Sequence, residues 1–379
     1  MRICMISYAC QSAPGNGKIT VVTMTSKERV LTAVARRQPD RVPMDFSANP
    51  FVLKRLHDEL GTATHRQLLD RLHSDIVDIR GVVDPVYRGP IPKERMLDNG
   101  VKENFWGWRQ QVVQTAMGPE EVFVDFVLAG AQTLEDLRAH RWPEPDWFDF
   151  TGFGERLDEY GDLAVMASGA SIWQHPSFLR GLENLLADLL DAPEMAEFLL
   201  DKFTDFYVAF FDRMFTAAQG RIDLLRIADD LGTQQGLLLG PEMFSRVFAP
   251  RLKRLIDLAH SHGVRVMFHS CGSIVPYIEP LIALGVDVLD SIQVTAAGMD
   301  PQMLEDRFGA RLCLHGSIDT QRLLPRGTPA EVADTVRQMC RVLGAGGGFI
   351  LAPCHVLQTD VPTANVLALY DTGFECGCY

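Results

Sequence analysis

Short hydrophobic runs alternate with longer amphipathic stretches from Met24 onward. The runs are rich in Val, Ile and Leu, which is typical of strands buried on both faces of a parallel sheet. The stretches between them carry apolar residues three or four positions apart, as amphipathic helices do. This alternation predicts repeated βα units. The predicted strands span residues 42–46, 75–79, 163–167, 222–227, 264–268, 286–289, 311–314 and 349–352.

Eight such strands predict a closed barrel. The predicted helices are long enough to cross back over a sheet, and they span residues 179–190, 193–218, 241–262, 299–308 and 329–343. A doubly wound open sheet would show the same alternation, but no Gly-x-Gly-x-x-Gly follows the first strand. The predicted fold class is therefore α/β, a (β/α)8 TIM barrel.

Two segments do not show this alternation of strands and helices. Residues 1–23 contain Gly, Pro and Ser without periodicity, and we interpret them as a disordered extension or the product of a start codon placed too far upstream. The first clear helix begins with Thr25 or Ser26 as its N-cap. Residues 81–162, rich in Pro, Trp and Gly, are interpreted as a rim insertion between the early strands. Residues 24–379 thus form one predicted barrel domain.

Composition narrows the class of function. The net charge of −13 disfavours binding to nucleic acid or to an anionic membrane surface. No apolar stretch approaches the roughly 20 residues that span a bilayer. Eight cysteines in 379 residues are too few and too irregularly spaced for a disulfide scaffold. We expect a cytoplasmic protein that acts on small molecules.

Soft metal ligands stand at the ends of two predicted strands. His269 and Cys271 close one hydrophobic run, and Cys354 closes another. Residues i and i+2 of an extended strand point to the same side, so His269 and Cys271 can reach one ion. Three His and Cys ligands leave the fourth position of a zinc ion open, as in catalytic sites. Alternatively, both cysteines are small buried hydrophobic residues and His269 makes an ordinary hydrogen bond.

Other polar residues at strand ends are expected to converge in the barrel mouth. Asp229, Asp230, His315 and His355 are candidate catalytic acids or bases. Each also has a structural interpretation, as a helix cap or a hydrogen-bonding partner. Further strand-end positions are Asp45, Asp78, Ser168, Asp290, Gln293 and Asp319.

These residues carry a family resemblance. The chain resembles the uroporphyrinogen decarboxylase superfamily from Met24 onward, through Arg37-Gln-Pro-Asp-Arg-Val-Pro43, Asp229-Asp-Leu-Gly232, Phe268-His-Ser-Cys-Gly272, His315-Gly-Ser-Ile-Asp319 and Pro362-x-x-Asn365. The His-x-Cys…Cys set resembles the branch of zinc methyltransferases that use a corrinoid (methylcobalamin). The resemblance implies a (β/α)8 barrel with zinc on His269, Cys271 and Cys354.

The resemblance also implies an activity. It is the transfer of a methyl group between a corrinoid and a thiol or other small methylated substrate, for example in an O-demethylase component. The chain lacks an Asp-x-His-x-x-Gly corrinoid motif, so a separate partner protein would carry the corrinoid. A homodimer is compatible with this reading.

Two other functions stay open. Residues 44–50 offer none of the arginines with which true decarboxylases of this superfamily bind their polycarboxylate substrate. One alternative is nevertheless a metal-free decarboxylase or other lyase that uses Asp and His residues. The other is a non-catalytic barrel that binds a small ligand. In addition, His355 directly follows Cys354, and this segment departs from the pattern of relatives in the superfamily.

Overall fold

The structure, a computed structural model, describes residues 24–98, 100–116 and 118–378. Residues 1–23, interpreted above as an extension, lie outside this range. A seven-stranded, curled parallel sheet forms the centre of the fold, in the order β1-β8-β9-β10-β11-β12-β13. Its strands are β1 (Ile76–Asp78), β8 (Ala164–Ala170), β9 (Leu224–Ala228), β10 (Arg265–His269), β11 (Val288–Ile292), β12 (Cys313–Ile318) and β13 (Phe349–Pro353).

The predicted strand at residues 42–46 is not a regular strand and lies outside the seven-stranded sheet. Met44 forms a parallel bridge with Leu351 of β13, and Asp75 N donates to Met44 O at 2.7 Å. Pro43 has no N–H and accepts from Leu351 N with its carbonyl, so the ladder stays short. The predicted α/β class is confirmed, while the eighth strand is reduced to isolated bridges.

The helices pack around the sheet. Thr25 caps α1 in a capping box with Glu28, as the sequence predicts. The helices are α1 (Ser26–Val34), α2 (Pro50–Leu60), α3 (His65–Arg71), α4 (Leu134–Arg138), α5 (Phe153–Arg156), α6 (Gln174–Arg180), α7 (Leu182–Asp191), α8 (Pro193–Ala218), α9 (Pro241–Met243), α10 (Ala249–Ser261), α11 (Val275–Leu284), α12 (Pro301–Leu304), α13 (Leu323–Arg326), α14 (Pro329–Leu343) and α15 (Thr363–Cys376).

One predicted helix is divided, and two others contain a π-helical turn. Gly181, with φ +83°, separates α6 from α7, because glycine adopts this conformation without a Cβ clash. A π-helical turn (Phe244–Phe248) joins α9 to α10, and a second (Glu305–Gly309) extends α12. The structure confirms α8 and α14 with the predicted bounds.

Residues between β1 and β8 build smaller antiparallel sheets. The strands β3 (Glu94–Met96), β4 (Lys102–Asn104), β5 (Arg109–Thr115) and β6 (Gly118–Phe123) form one sheet in sequence order, and β2 (Val86–Tyr87) pairs with β7 (Phe148–Asp149). Since β1 and β8 are neighbours in the central sheet, this segment interrupts a single βα connection.

The interior of the curled sheet is closed at one end. Val30, Ala33 and Val34 of α1 pack against buried side chains from the strands, among them Ile76 and Met267. These contacts lie at the amino ends of the strands. The carboxyl ends are therefore the end at which side chains can meet a ligand. No helix among the described residues is long and apolar enough to cross a membrane.

Candidate metal centre

Three potential metal ligands meet at the carboxyl ends of β10 and β13. His269 is the last residue of β10, Cys271 follows two positions later, and His355 comes two positions after β13 ends. One ligand atom from each lies within 4.8 Å of the others. His269 is buried, Cys271 is half-buried and His355 is exposed. We call these residues the His-Cys-His cluster.

The dimensions of the cluster fit a zinc ion. Cys271 Sγ lies 3.6 Å from His269 Nε2. Nitrogen and sulfur ligands at the usual zinc distances stand about 3.6 Å apart in a tetrahedron. Two imidazoles and one thiolate are typical zinc donors, and a three-residue set leaves one position for water or substrate. The residues present therefore fit this metal.

Asp290 fixes the orientation of His269. It lies on β11, beside His269 in the strand register, and its Oδ2 is 2.9 Å from His269 Nδ1. A carboxylate only accepts, so Nδ1 carries the hydrogen and Nε2 presents its lone pair to the cluster. Arg226 Nη2 also lies 3.0 Å from Nδ1, but both groups are donors in this tautomer, so that contact is not a hydrogen bond. The guanidinium donates instead through Nε to Asp290 Oδ2 at 2.6 Å.

Asp290 also joins a second buried histidine. His315 Nδ1 donates to Asp290 Oδ1 at 2.9 Å, and His315 Nε2 lies 3.1 Å from Asp45 Oδ2. Burial opposes the charged imidazole, but Asp290 and Asp45 outweigh it and raise the pKa of His315 to about 9. Burial likewise opposes the charged carboxylate of Asp290, yet Arg226, His269 and His315 hold its pKa well below the ordinary value.

The protein environment holds the Cys271 sulfur as a thiol. Burial, followed by the charges of Asp230 and Asp290, raises the pKa of Cys271. A bound cation reverses this effect, because it stabilises the thiolate directly. Although His355 is exposed as a residue, the packing around its ring desolvates it. This desolvation and the neighbouring His269 lower the pKa of His355, which favours the neutral imidazole that binds metals.

The cluster opens onto a cavity of 530 Å³, here called the metal-site cavity. Gln234, Gln293 and Gln321 line it with amide groups. Its other lining residues are Glu120, Cys271, Thr320, Arg326, Cys354, His355, Gln358 and Asp360. Glu120 belongs to β6, so the segment between β1 and β8 contributes one wall.

A family model described as uroporphyrinogen decarboxylase (URO-D) matches residues 155–375, more than half of the chain. The chain belongs to the URO-D family. Two curated relatives are methylcobamide:CoM methyltransferases MtbA. The protein from Methanosarcina acetivorans is 24% identical over 214 residues, and the protein from Methanosarcina mazei is 23% identical over 213 residues. Each match covers 55% of this chain and 58% of the relative.

This chain thus spans a little over half the length of the curated relatives it matches. A solved methyltransferase from Methanosarcina mazei superposes with a TM-score of 0.60 at 17% identity, covering 93% of this chain and 99% of that one. At this identity the likeness concerns the fold. The predicted resemblance to the URO-D superfamily and to its methyltransferase branch is confirmed.

Cys354, predicted as the third zinc ligand, is placed differently from His355. Its Sγ donates to Ile292 O at 3.3 Å, and the residue is buried. Burial raises the pKa of Cys354 to about 12. The thiol lines the metal-site cavity but is not a member of the three-residue group. His355 thus completes the geometric group, and the role of Cys354 as a zinc ligand stays a prediction.

The two consecutive aspartates have different surroundings. Asp229 is fully buried and accepts hydrogen bonds from Ser171 Oγ and from the backbone N–H groups of residues 172–174. Burial, opposed by these hydrogen bonds, raises its pKa to about 6. Asp230 accepts from Cys271 N at 2.7 Å and lies 3.7 Å from His269 Nε2. Asp230 borders the cluster, whereas Asp229 holds the loop before α6.

The sequence argument gave no role to Asp290 or Arg226. Asp290 was noted only as a strand-end residue, and Arg226 lies inside β9. A charged residue within a strand that is predicted to be buried on both faces requires a partner. This signal pointed to a buried ion pair but could not identify Asp290 as the partner.

Proposed function

We propose that this URO-D protein is a zinc-dependent methyltransferase. It moves a methyl group between a small methylated substrate or thiol and a corrinoid carried by a partner protein. The observation that carries the proposal is the His-Cys-His cluster, with His269 oriented by Asp290, at the opening of the metal-site cavity. The methyltransferase relatives support the same reaction type.

The residues of the cluster have separate roles. His269, Cys271 and His355 would hold zinc, and the ion would supply Lewis acidity that keeps a substrate thiol as thiolate or polarises a methoxy group. Asp290 keeps the lone pair of His269 Nε2 directed at the cluster. Asp230 fixes the backbone of Cys271 through its N–H. Cys354 is a cavity wall in this arrangement and a candidate further ligand.

The metal-site cavity suits a small polar substrate. Its four glutamines, Gln234, Gln293, Gln321 and Gln358, offer uncharged donors and acceptors. Arg326 is the single arginine or lysine among its described lining residues, which also include the acidic Glu120 and Asp360. A substrate with many carboxylates would find little charge compensation there. This observation supports methyl transfer over the metal-free decarboxylase, which would use Asp229, His315 and His355.

The experiment measures loss of the methyl group from free methylcobalamin, by absorbance, with a small thiol as acceptor. Coenzyme M, named in the relatives, is the first thiol to test. We expect zinc-dependent demethylation that His269→Ala and Cys271→Ser abolish. His260→Ala is the matched control, because His260 pairs with Asp287 away from the cluster. Demethylation by chelated, zinc-free protein at the same rate would refute the proposal.

A further inference from the structure

A second cavity, here called the aromatic pocket, lies beside the barrel mouth. Its volume is 220 Å³. It is enclosed by the segments that follow β1, by the end of β8, by α8 and by the residues between β1 and β8. The aromatic side chains that line it are Phe105, Trp106, Trp108, Phe148, Phe206, Tyr207, Phe210 and Phe211.

The two titratable side chains that lie among the rings of the aromatic pocket are held uncharged. His175 and Tyr207, both lining residues, share a hydrogen bond. Burial, together with the charge of Arg80, lowers the pKa of His175 to about 3, and burial raises the pKa of Tyr207 far above its usual range. Trp106 and Trp108 are nearly parallel, with ring centroids 5.8 Å apart. Such walls favour another aromatic ring, which packs face to face or edge to face.

One charge at this pocket is uncompensated. Lys93 and Asp84 pair with each other at 3.3 Å. Arg80 is exposed, and no carboxylate of the described residues lies within ion-pair distance of its guanidinium. Its side chain passes over Gly169, where an added Cβ would stand 3.3 Å from Arg80 Cδ. The remaining positive charge attracts an anion and repels the cationic ligands that aromatic cages otherwise bind.

A buried donor adds a second requirement. The indole Nε1 of Trp108 is buried without a hydrogen-bond partner among the described residues. A buried N–H without a partner is destabilising, so a ligand oxygen that reached this atom would be favoured over a hydrocarbon.

The aromatic pocket adjoins the barrel mouth. Ser168 Oγ, on the pocket side, donates to Asp78 Oδ2 at 2.6 Å. Asp78 in turn lines a small cleft shared with His315 and His355. One hydrogen-bonded pair thus separates the aromatic pocket from the cleft that contains a member of the His-Cys-His cluster.

We propose that the aromatic pocket binds a single-ring aromatic carboxylate, with its carboxylate on Arg80, and that a methoxylated aromatic acid is the methyl donor of this protein. The bond between the methyl carbon and the ether oxygen would break, the methyl group would pass without its bonding electrons to the reduced Co(I) corrinoid of the partner protein, and the phenolate left behind would take a proton from solvent. A volume of 220 Å³ is below the roughly 300–1,000 Å³ of pockets for larger ligands, so one ring fits and a macrocycle does not. Binding at the pocket stands by itself, whereas the role as methyl donor rests on the proposed function.

The test is calorimetric titration of the full chain, without added metal, with p-methoxybenzoate. We expect saturable binding that weakens about tenfold in Arg80→Gln, since a charge-assisted hydrogen bond contributes about that factor. Arg37→Gln is the control, because Arg37 is an exposed arginine outside the lining residues. Neutral anisole should bind more weakly and equally to wild type and Arg80→Gln.

Other outcomes overturn the assignment. The absence of p-methoxybenzoate binding at millimolar concentration, or equal weakening in both arginine variants, contradicts it. Binding of tetramethylammonium instead of the acid would indicate a cation cage. Because the titration requires neither zinc nor corrinoid, acid binding without demethylation would leave the pocket assignment standing and reject its role as methyl-donor site.

Discussion

Replacing Asp290 by asparagine should weaken zinc binding without removing a ligand. The carboxylate accepts from His269, His315 and Arg226, all at 2.9 Å or less. Asparagine keeps the volume but loses the charge, and its amide can donate where three neighbours also donate. Losing such a partner of a metal-binding histidine typically reduces metal affinity about 10–100-fold. That factor corresponds to about 1.4–2.8 kcal/mol.

The same substitution should lower stability. The rise in the pKa of His315 from 6.5 to about 9 corresponds to about 3 kcal/mol shared between Asp290 and Asp45. Asparagine removes the Asp290 part and leaves Arg226 without its buried counter-charge. We therefore expect the free energy of unfolding at pH 7 to fall by about 2–4 kcal/mol.

The assay combines competitive zinc titration with denaturant unfolding. Asp287→Asn is a matched control, since Asp287 accepts from His260 at 2.8 Å just before the same strand but outside the cluster. Our reasoning predicts weak zinc binding only in Asp290→Asn. Equal zinc affinity in Asp290→Asn and wild type, both folded, would refute the orienting role of Asp290.

Three further predictions concern single residues. His355→Ala should lower zinc affinity more than Cys354→Ser, because His355 belongs to the cluster and Cys354 Sγ donates to a backbone carbonyl. A zinc titration in which Cys354→Ser has the larger effect would identify Cys354 as the third ligand. In metal-free protein, the stabilisation from charged His315 should be complete below pH 6.5 and lost as pH rises through about 9. Denaturant unfolding across this range should show a decline in the free energy of unfolding that is absent in His315→Asn. The same decline in His315→Asn would contradict the prediction. Asp229→Ala should destabilise the protein by about 2–4 kcal/mol, because the backbone N–H groups of the loop before α6 lose their acceptor. Thermal unfolding tests this prediction. A stable variant that binds zinc but lacks activity would instead indicate a catalytic role for Asp229.

Hydrophobic runs predicted the central sheet because burial on both faces leaves a continuous apolar signal. The segment at residues 42–46 carried that signal too, but Pro43 removes a backbone donor and leaves bridges only. The helix predicted for residues 179–190 divides at Gly181, which apolar periodicity does not register.

The candidate site was predictable only in part. His269 and Cys271 lie together as predicted, although Cys271 is two positions past the end of β10, where its N–H donates to Asp230 Oδ1. Beyond Pro353 the strand has ended and the period no longer applies, so the sequence could not decide between Cys354 and His355. The role of Asp290 depends on the pairing of β10 with β11, which is a tertiary contact.

The most direct test of the central claim is the zinc content of purified protein after reconstitution and removal of free metal. The account predicts about one zinc per chain in wild type and in His260→Ala. It predicts none in His269→Ala and Cys271→Ser, each folded by circular dichroism. Wild-type protein that retains no zinc, or cluster variants that retain it fully, would contradict the metal centre and the mechanism built on it.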